Sequence, residues 1–195
     1  MNTGGIIAIP TDTVYGLAVR AFDPAAVARV FEVKGRDSQT PLPLLLTGFE
    51  MVEQCASPVS IYAERLANVF WPGPLTIVVP RSHHIPDAVT SGGPNVGLRV
   101  PDHPVPVALA GALGEPITGT SANRTGEPAF TSYQSLKLRL GSELDYIIDG
   151  GALPLRPAST VVDLTGDLPL ILRQGGVSKK DIETALGVEI HPRIV

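Results

Sequence analysis

Lys34 and Arg36 flank Gly35 at the point where an apolar, helix-spaced stretch runs out, and a Thr40-Pro41-Leu42 turn follows them. A helix that stops at a glycine leaves such cations on a loop. There, one mobile point charge and one planar fork suit a polyphosphate. A solvated helix end whose charges complement the dipole would use the same two residues. Far along the chain, Thr118-Gly119-Thr120-Ser121-Ala122-Asn123 offers hydroxyls, an amide and close backbone approach. The expectation is that these two loops meet over a nucleotide. Arg99 interrupts an apolar strand, where it must be paired or aimed at something. Ser159-Thr160 opens one strand and Arg173 closes its neighbour, which puts hydroxyls and a cation near one hairpin. Each of these has a structural reading. With charged residues at only 17%, against roughly 25% in ordinary soluble proteins, three arginines at the edges of apolar elements favour a functional one.

Other chemistries fit less well. There is no Gly-Lys pair for a Walker phosphate loop and no Gly-x-Gly-x-x-Gly. Gly119-Thr120-Ser121-Ala122-Asn123 resembles a nucleophile elbow, but Asn123 replaces the glycine that such a turn needs. A hydrolase would also need a histidine base, and no spacing rule links His103 to Ser121; before Pro104, His103 reads as a cap. The single cysteine, Cys55, excludes an intrachain disulfide and suits a reducing cytosol as a packed small hydrophobe. A net charge of -4 gives no bulk attraction to nucleic acid or anionic membrane. The start has no charged leader, and no apolar run approaches the ~18 residues of a membrane span. A soluble, cytoplasmic protein is expected.

The elements that must position these residues follow from periodicity and punctuation. With 195 residues at 44% hydrophobic, the chain supports one domain with a real core. Its 20 Gly and 19 Pro fall singly between apolar runs, as turn punctuation. Gly5 to Ile9 reads as a buried strand opening onto Pro10-Thr11-Asp12-Thr13-Val14-Tyr15-Gly16-Leu17, either a ligand loop or a capped turn. Asp23-Pro24 starts a helix to about Lys34, and Ser57-Pro58 starts another with Val59, Tyr62, Leu66 and Val69 on one face. Strands are expected at 42–46, 75–79, 96–100, from 117 into the Ser121 loop, at 146–149, 160–164 and 168–173. Helices are expected after His103-Pro104 up to Gly114, over 132–140 up to Gly141, and from the Ser178 capping box to Gly187. Thr165-Gly166-Asp167 joins the last two strands as a hairpin, so the sheet must be mixed.

Pro10 to Leu17, Lys34-Gly35-Arg36, Trp71-Pro72-Gly73-Pro74-Leu75-Thr76, Gly97-Leu98-Arg99-Val100-Pro101, Ser121-Ala122-Asn123 and Ser159-Thr160-Val161-Val162-Asp163 resemble, in order, the motifs of the YrdC-like threonylcarbamoyl-AMP synthases. The resemblance covers almost the whole chain, and its most specific elements are the Lys-x-Arg and Ser-x-Asn pairs. It implies a single α/β catalytic domain, 1–195, with an ordered core of about 4–187 and a tail over 188–195. It implies a twisted mixed parallel/antiparallel sheet, flanked by helices around a large concave cavity. The implied enzyme is a nucleotidyltransferase that condenses L-threonine, bicarbonate or CO2 and ATP to threonylcarbamoyl-AMP and pyrophosphate, for threonylcarbamoyladenosine modification of tRNA.

Carried over position by position, Thr13, Arg99 and Ser159 look like threonine contacts, with Arg99 as the carboxylate fork. Lys34, Arg36, Thr40, Ser121 and Arg173 look like ATP contacts, and Lys34, Arg36, Ser121 and Asn123 make up the catalytic signature. Thr40 departs from the Asn or Lys common before Pro-Leu, and Leu45 stands where some members have a histidine. The chain resembles the short form, without an extra carboxyl-terminal domain. Mg2+ is expected with ATP, held through the phosphates and not by protein side chains. A downstream tRNA-modifying transferase complex is the expected partner, with contact to double-stranded RNA or tRNA. The chemistry asks two anions, a carbamate and an α-phosphate, to approach each other; one well-aimed group in such a site is worth ~3 kcal/mol. Two rival readings are a non-catalytic RNA-binding module and a same-fold carbamoyl or adenylyl transferase with a different acceptor.

Overall fold

The computed structural model describes residues 1–35 and 40–190. The first half runs β1 (Ile7–Ile9), β2 (Gly16–Ala18), α1 (Pro24–Lys34), β3 (Leu44–Leu45), a 3-10 turn (Phe49–Met51) and α2 (Val52–Cys55). It continues with α3 (Ile61–Phe70), β4 (Leu75–Pro80), α4 (Asp87–Thr90) and β5 (Asn95–Arg99). The second half runs α5 (Pro104–Leu113), β6 (Ile117–Thr118), β7 (Thr120–Ser121), α6 (Tyr133–Leu140) and a 3-10 turn (Gly141–Glu143). It ends with β8 (Tyr146–Ile147), β9 (Thr160–Asp163), β10 (Leu170–Arg173) and α7 (Lys179–Leu186).

The mixed arrangement expected from the hairpin is present, but it is divided between two sheets, ordered β7-β2-β1-β8 and β10-β9-β4-β5-β3-β6. In the first, β1 and β8 are parallel while the other pairs are antiparallel. In the second, β4 with β9 and β3 with β5 are parallel, and the remaining pairs are antiparallel. Gly119 is the reason for the division. It separates β6, in the larger sheet, from β7, in the smaller, and its N–H donates to Pro43 O at 2.8 Å. A Cβ at Gly119 would lie 2.5 Å from Leu45 Cγ, so the crossover runs closer to β3 than any side chain would permit.

Helix boundaries follow local chemistry. Asp23 accepts hydrogen bonds from Ala25 N and Ala26 N, both at 3.1 Å, and Gly35 ends α1 in the left-handed region at φ 54°. Ser178 accepts from Asp181 N and caps α7. The start of α3 differs from expectation. Ser60, not Ser57, is the cap, accepting from Ala63 N at 3.2 Å. The buried face is then Ala63, Leu66 and Ala67, with Val69 60% exposed. Two serines lie three residues apart before the same apolar spacing, and only the backbone geometry distinguishes them. Gly141 ends α6 as expected, at a φ of -59°, and the chain tightens into the following 3-10 turn.

The main core joins side chains of α1, α3 and α7 to residues of both sheets, with Leu66, Leu75, Ile77, Leu98 and Val162 all under 2% exposed. A second cluster, Ile7, Ile9, Ala18, Leu45, Ala110 and Ile117, lies beneath the Val105, Leu109 and Leu113 face of α5. Ile190 is buried in the main core, so packing extends past Gly187.

Candidate functional site

Strand direction gathers the polar residues. Because β4 and β9 run together while β5 and β10 run against them, β4 and β9 begin where β5 and β10 end. Thr76, Ser159, Arg99 and Arg173 therefore share one margin of the larger sheet. In the smaller sheet β1 ends beside the start of β2, and Gly16 is register-paired with Ser121. This brings the turn over 10–15 beside Ser121-Ala122-Asn123, and Ala122 N donates to Tyr15 O at 2.7 Å. Thr11 organises the turn, its Oγ1 accepting from Thr13 N and Val14 N and donating to Val14 O at 2.6 Å. Thr11 thus does serve the turn's own backbone, and the turn presents Asp12.

Asp12 closes the gap between the sheets. Both of its carboxylate oxygens accept from Arg99 Nη2 at 2.6 Å, while Arg99 Nε donates to Gly73 O at 2.9 Å. The side chains are 9% (Arg99) and 2% (Asp12) exposed. Burial lowers the Arg99 pKa; the Asp12 carboxylate opposes that shift, and nearby Arg173 adds to it. Arg173 is itself lowered by burial. It grips Ser159, donating from Nε and Nη2 to the carbonyl oxygen at 3.1 and 2.8 Å and from Nη2 to Oγ at 2.9 Å. Ser159 Oγ also shares a hydrogen bond of 2.9 Å with Thr76 Oγ1.

The second group forms where α1 ends. The Lys34 side chain is buried, and its Nζ donates to Ser121 O at 2.6 Å, Asn123 O at 3.1 Å and Asn123 Oδ1 at 3.0 Å. Ser121 Oγ donates to Asn123 Oδ1 at 2.6 Å, and Asn123 Nδ2 donates to Glu127 O at 2.6 Å. The loop returns the contact: Thr125 N donates to Lys34 O and Arg124 Nη1 to Val33 O, which satisfies carbonyls at the helix end. Lys34, at the end of α1, thus bonds directly to both residues of the Ser-x-Asn pair, while residues 36–39 of the loop that follows it lie outside the described residues.

Of the remaining expected site residues, Thr13 is buried with its Oγ1 3.1 Å from Thr11 Oγ1, and Thr40 is exposed. Arg36 lies outside the described residues. Sequence reasoning placed Asp12 in a turn read as either a ligand loop or a cap and did not pair it with Arg99, and it gave Thr76 no individual role. The signal for Asp12 was present: an arginine inside an apolar strand needs a partner, and an acid lies in the turn that follows another buried strand. His103 is the cap expected of it, its Nδ1 accepting from Val105 N at 3.2 Å ahead of α5. Ser121 donates to an amide and not to a histidine. The buried Cys55 thiol is pushed up to about 12 by desolvation, as befits a packed side chain. A concavity of about 630 Å³ lies elsewhere, bounded by Phe22, Glu50, Glu53, Gln54 and His84.

The model of the Sua5/YciO/YrdC family, described as "Telomere recombination", matches residues 1–175. A threonylcarbamoyl-AMP synthase of Pyrococcus abyssi is 41% identical over 195 residues, all of this chain and 57% of that protein. One from Bacillus subtilis is 38% identical over 186 residues, 93% of this chain and 53% of that protein. The chain thus spans about half the length of these curated relatives. The crystal structure of P. abyssi Sua5 complexed with L-threonine matches at TM-score 0.92 and 40% identity, over 97% of this chain and 56% of that one.

Proposed function

This chain belongs to the Sua5/YciO/YrdC family, and on that premise we propose that it is a threonylcarbamoyl-AMP synthase, joining L-threonine, bicarbonate or CO2 and ATP. The observation that carries this reading is the pairing of two unlike polar groups on neighbouring sheet margins: Asp12, Arg99, Ser159 and Arg173 beside Lys34, Ser121 and Asn123. Arg99 receives the threonine carboxylate, and Thr13 and Ser159 contact its hydroxyl and amine. Arg36, Thr40, Ser121 and Arg173 hold the nucleotide, with Lys34 and Asn123 fixing the Ser121 loop against it.

In the reaction, the threonine amine adds to CO2 and loses a proton to give a carbamate. A carbamate oxygen then bonds to the α-phosphorus while the bond to the bridging oxygen breaks, and pyrophosphate leaves with that electron pair. The cations lower the repulsion between carbamate and triphosphate. Mg2+ brought with ATP would be held mainly through the phosphates and would supply charge neutralisation for the pyrophosphate. The donor set fits this arrangement: the carboxylate within the cluster, Asp12, is committed to Arg99, and the side chains around it are hydroxyls, amides and cations. The product is a reactive mixed anhydride whose acceptor is a tRNA adenosine amine, which calls for a cytoplasmic transferase complex downstream. Mass spectrometry of protein, ATP, L-threonine and 13C-bicarbonate tests the reading. Labelled threonylcarbamoyl-AMP is expected; pyrophosphate release that ignores threonine would overturn it.

A further inference from the structure

We propose that Asp12 is the positioning residue of the amino-acid site: it holds the Arg99 guanidinium by one nitrogen, so that Nη1 remains for a carboxylate. The inference rests on the synthase reading and deepens it. A guanidinium that bonds a carboxylate side-on normally offers two nitrogens. Here both Asp12 oxygens converge on Nη2 alone, and Nε goes to Gly73 O, a backbone atom held in place by Gly73 N donating to Val100 O at 2.8 Å. Among the described residues Nη1 has no hydrogen-bond partner. It is not sealed off either, because the Ser91 hydroxyl is the only described side-chain polar atom that is both buried and unpartnered.

The turn makes Asp12 a rigid anchor. It lies between Thr11 and Thr13, whose hydroxyls are bonded to each other and, through Thr11, to the Val14 backbone. A pair that served only to tie the sheets together would gain nothing from leaving Nη1 uncommitted. Side-on pairing would tie them as well with better geometry.

Calorimetric titration of L-threonine into the full chain, with threonine and ATP KM measured by pyrophosphate release, separates these roles. Asp12→Asn removes one charged acceptor at constant shape, and threonine Kd and KM are expected to rise at least tenfold with ATP KM within about twofold. Asp12→Glu, which keeps the charge but moves the carboxylate by one methylene, is expected to raise threonine Kd as well. If Asp12→Asn does not fold, Asp12→Glu decides the matter. A folded variant that binds threonine within twofold of the wild type overturns the positioning role. Wild-type protein that binds no L-threonine overturns the synthase reading first, and this inference with it.

Discussion

The two halves of the site hold their cations by different physics. On the sheet margin Arg99 meets a carboxylate, and the pair is buried nearly completely. At the helix end Lys34 meets carbonyl and amide oxygens of the Ser121 loop. A buried ion pair is costly to break because the surviving charge is stranded. Removing a lysine that serves carbonyl and amide oxygens leaves those acceptors without a donor. The first arrangement fixes a guanidinium by an opposite charge; the second ties the end of α1 to the Ser121 loop through carbonyl and amide oxygens.

The contrast can be broken most severely at Asp12. Asp12→Ala is expected to cost about 3 to 5 kcal/mol of stability, read by chemical denaturation, because Arg99 stays buried without its partner. Asp12→Leu with Arg99→Met should recover most of that loss while remaining inactive. Next comes Lys34→Met, which should fold with a stability loss of about 1 to 3 kcal/mol for the acceptors it abandons. Its threonine-dependent pyrophosphate release should fall about 100-fold or more. Asn123→Ala is a smaller change, since Lys34 keeps its bonds to two backbone oxygens. A loss of activity of about tenfold, with stability nearly intact, would show that the amide aims Ser121 and does not hold the loop.

The smallest expected effect concerns His103, next to the ion-pair half. Burial lowers its pKa, against opposing pulls from Asp12 and Asp102. The folded state therefore favours the neutral ring that accepts from Val105 N. Stability linked to it is full above the ordinary value of 6.5, and it falls as pH drops from there toward the lowered folded value. His103→Asn keeps a capping acceptor without the titration, so its unfolding free energy should lose that slope over the same window. An identical slope in both proteins would remove His103 from the account.

Much of the frame was legible because the signals are short-ranged. Asp23-Pro24 and Gly35 bracket α1 through bonds to residues within one turn, and Ser178 does the same for α7. The Thr165-Gly166-Asp167 hairpin is equally local and required antiparallel neighbours. The Lys-x-Arg and Ser-x-Asn motifs could be matched as a pair, although the lysine reaches Ser121 across 87 positions. Asp12 was not assigned to Arg99 because the two lie equally far apart, and nothing local chooses one acid for one arginine. The start of α3 was misplaced because both serines carry the same capping chemistry, and the division into two sheets was missed because a glycine in a strand does not announce whether it bends, bulges or crosses over.

That crossover glycine has a further consequence. Leu45, the side chain pressed against Gly119, is 3% exposed and lies opposite Arg99 in the β3–β5 register. A single methyl at position 119 would have to displace Leu45, and the strand that carries Leu45 is bonded to the strand that aims the guanidinium. The placing of Arg99 thus leans on a missing carbon, at a residue with no reactive atom of its own.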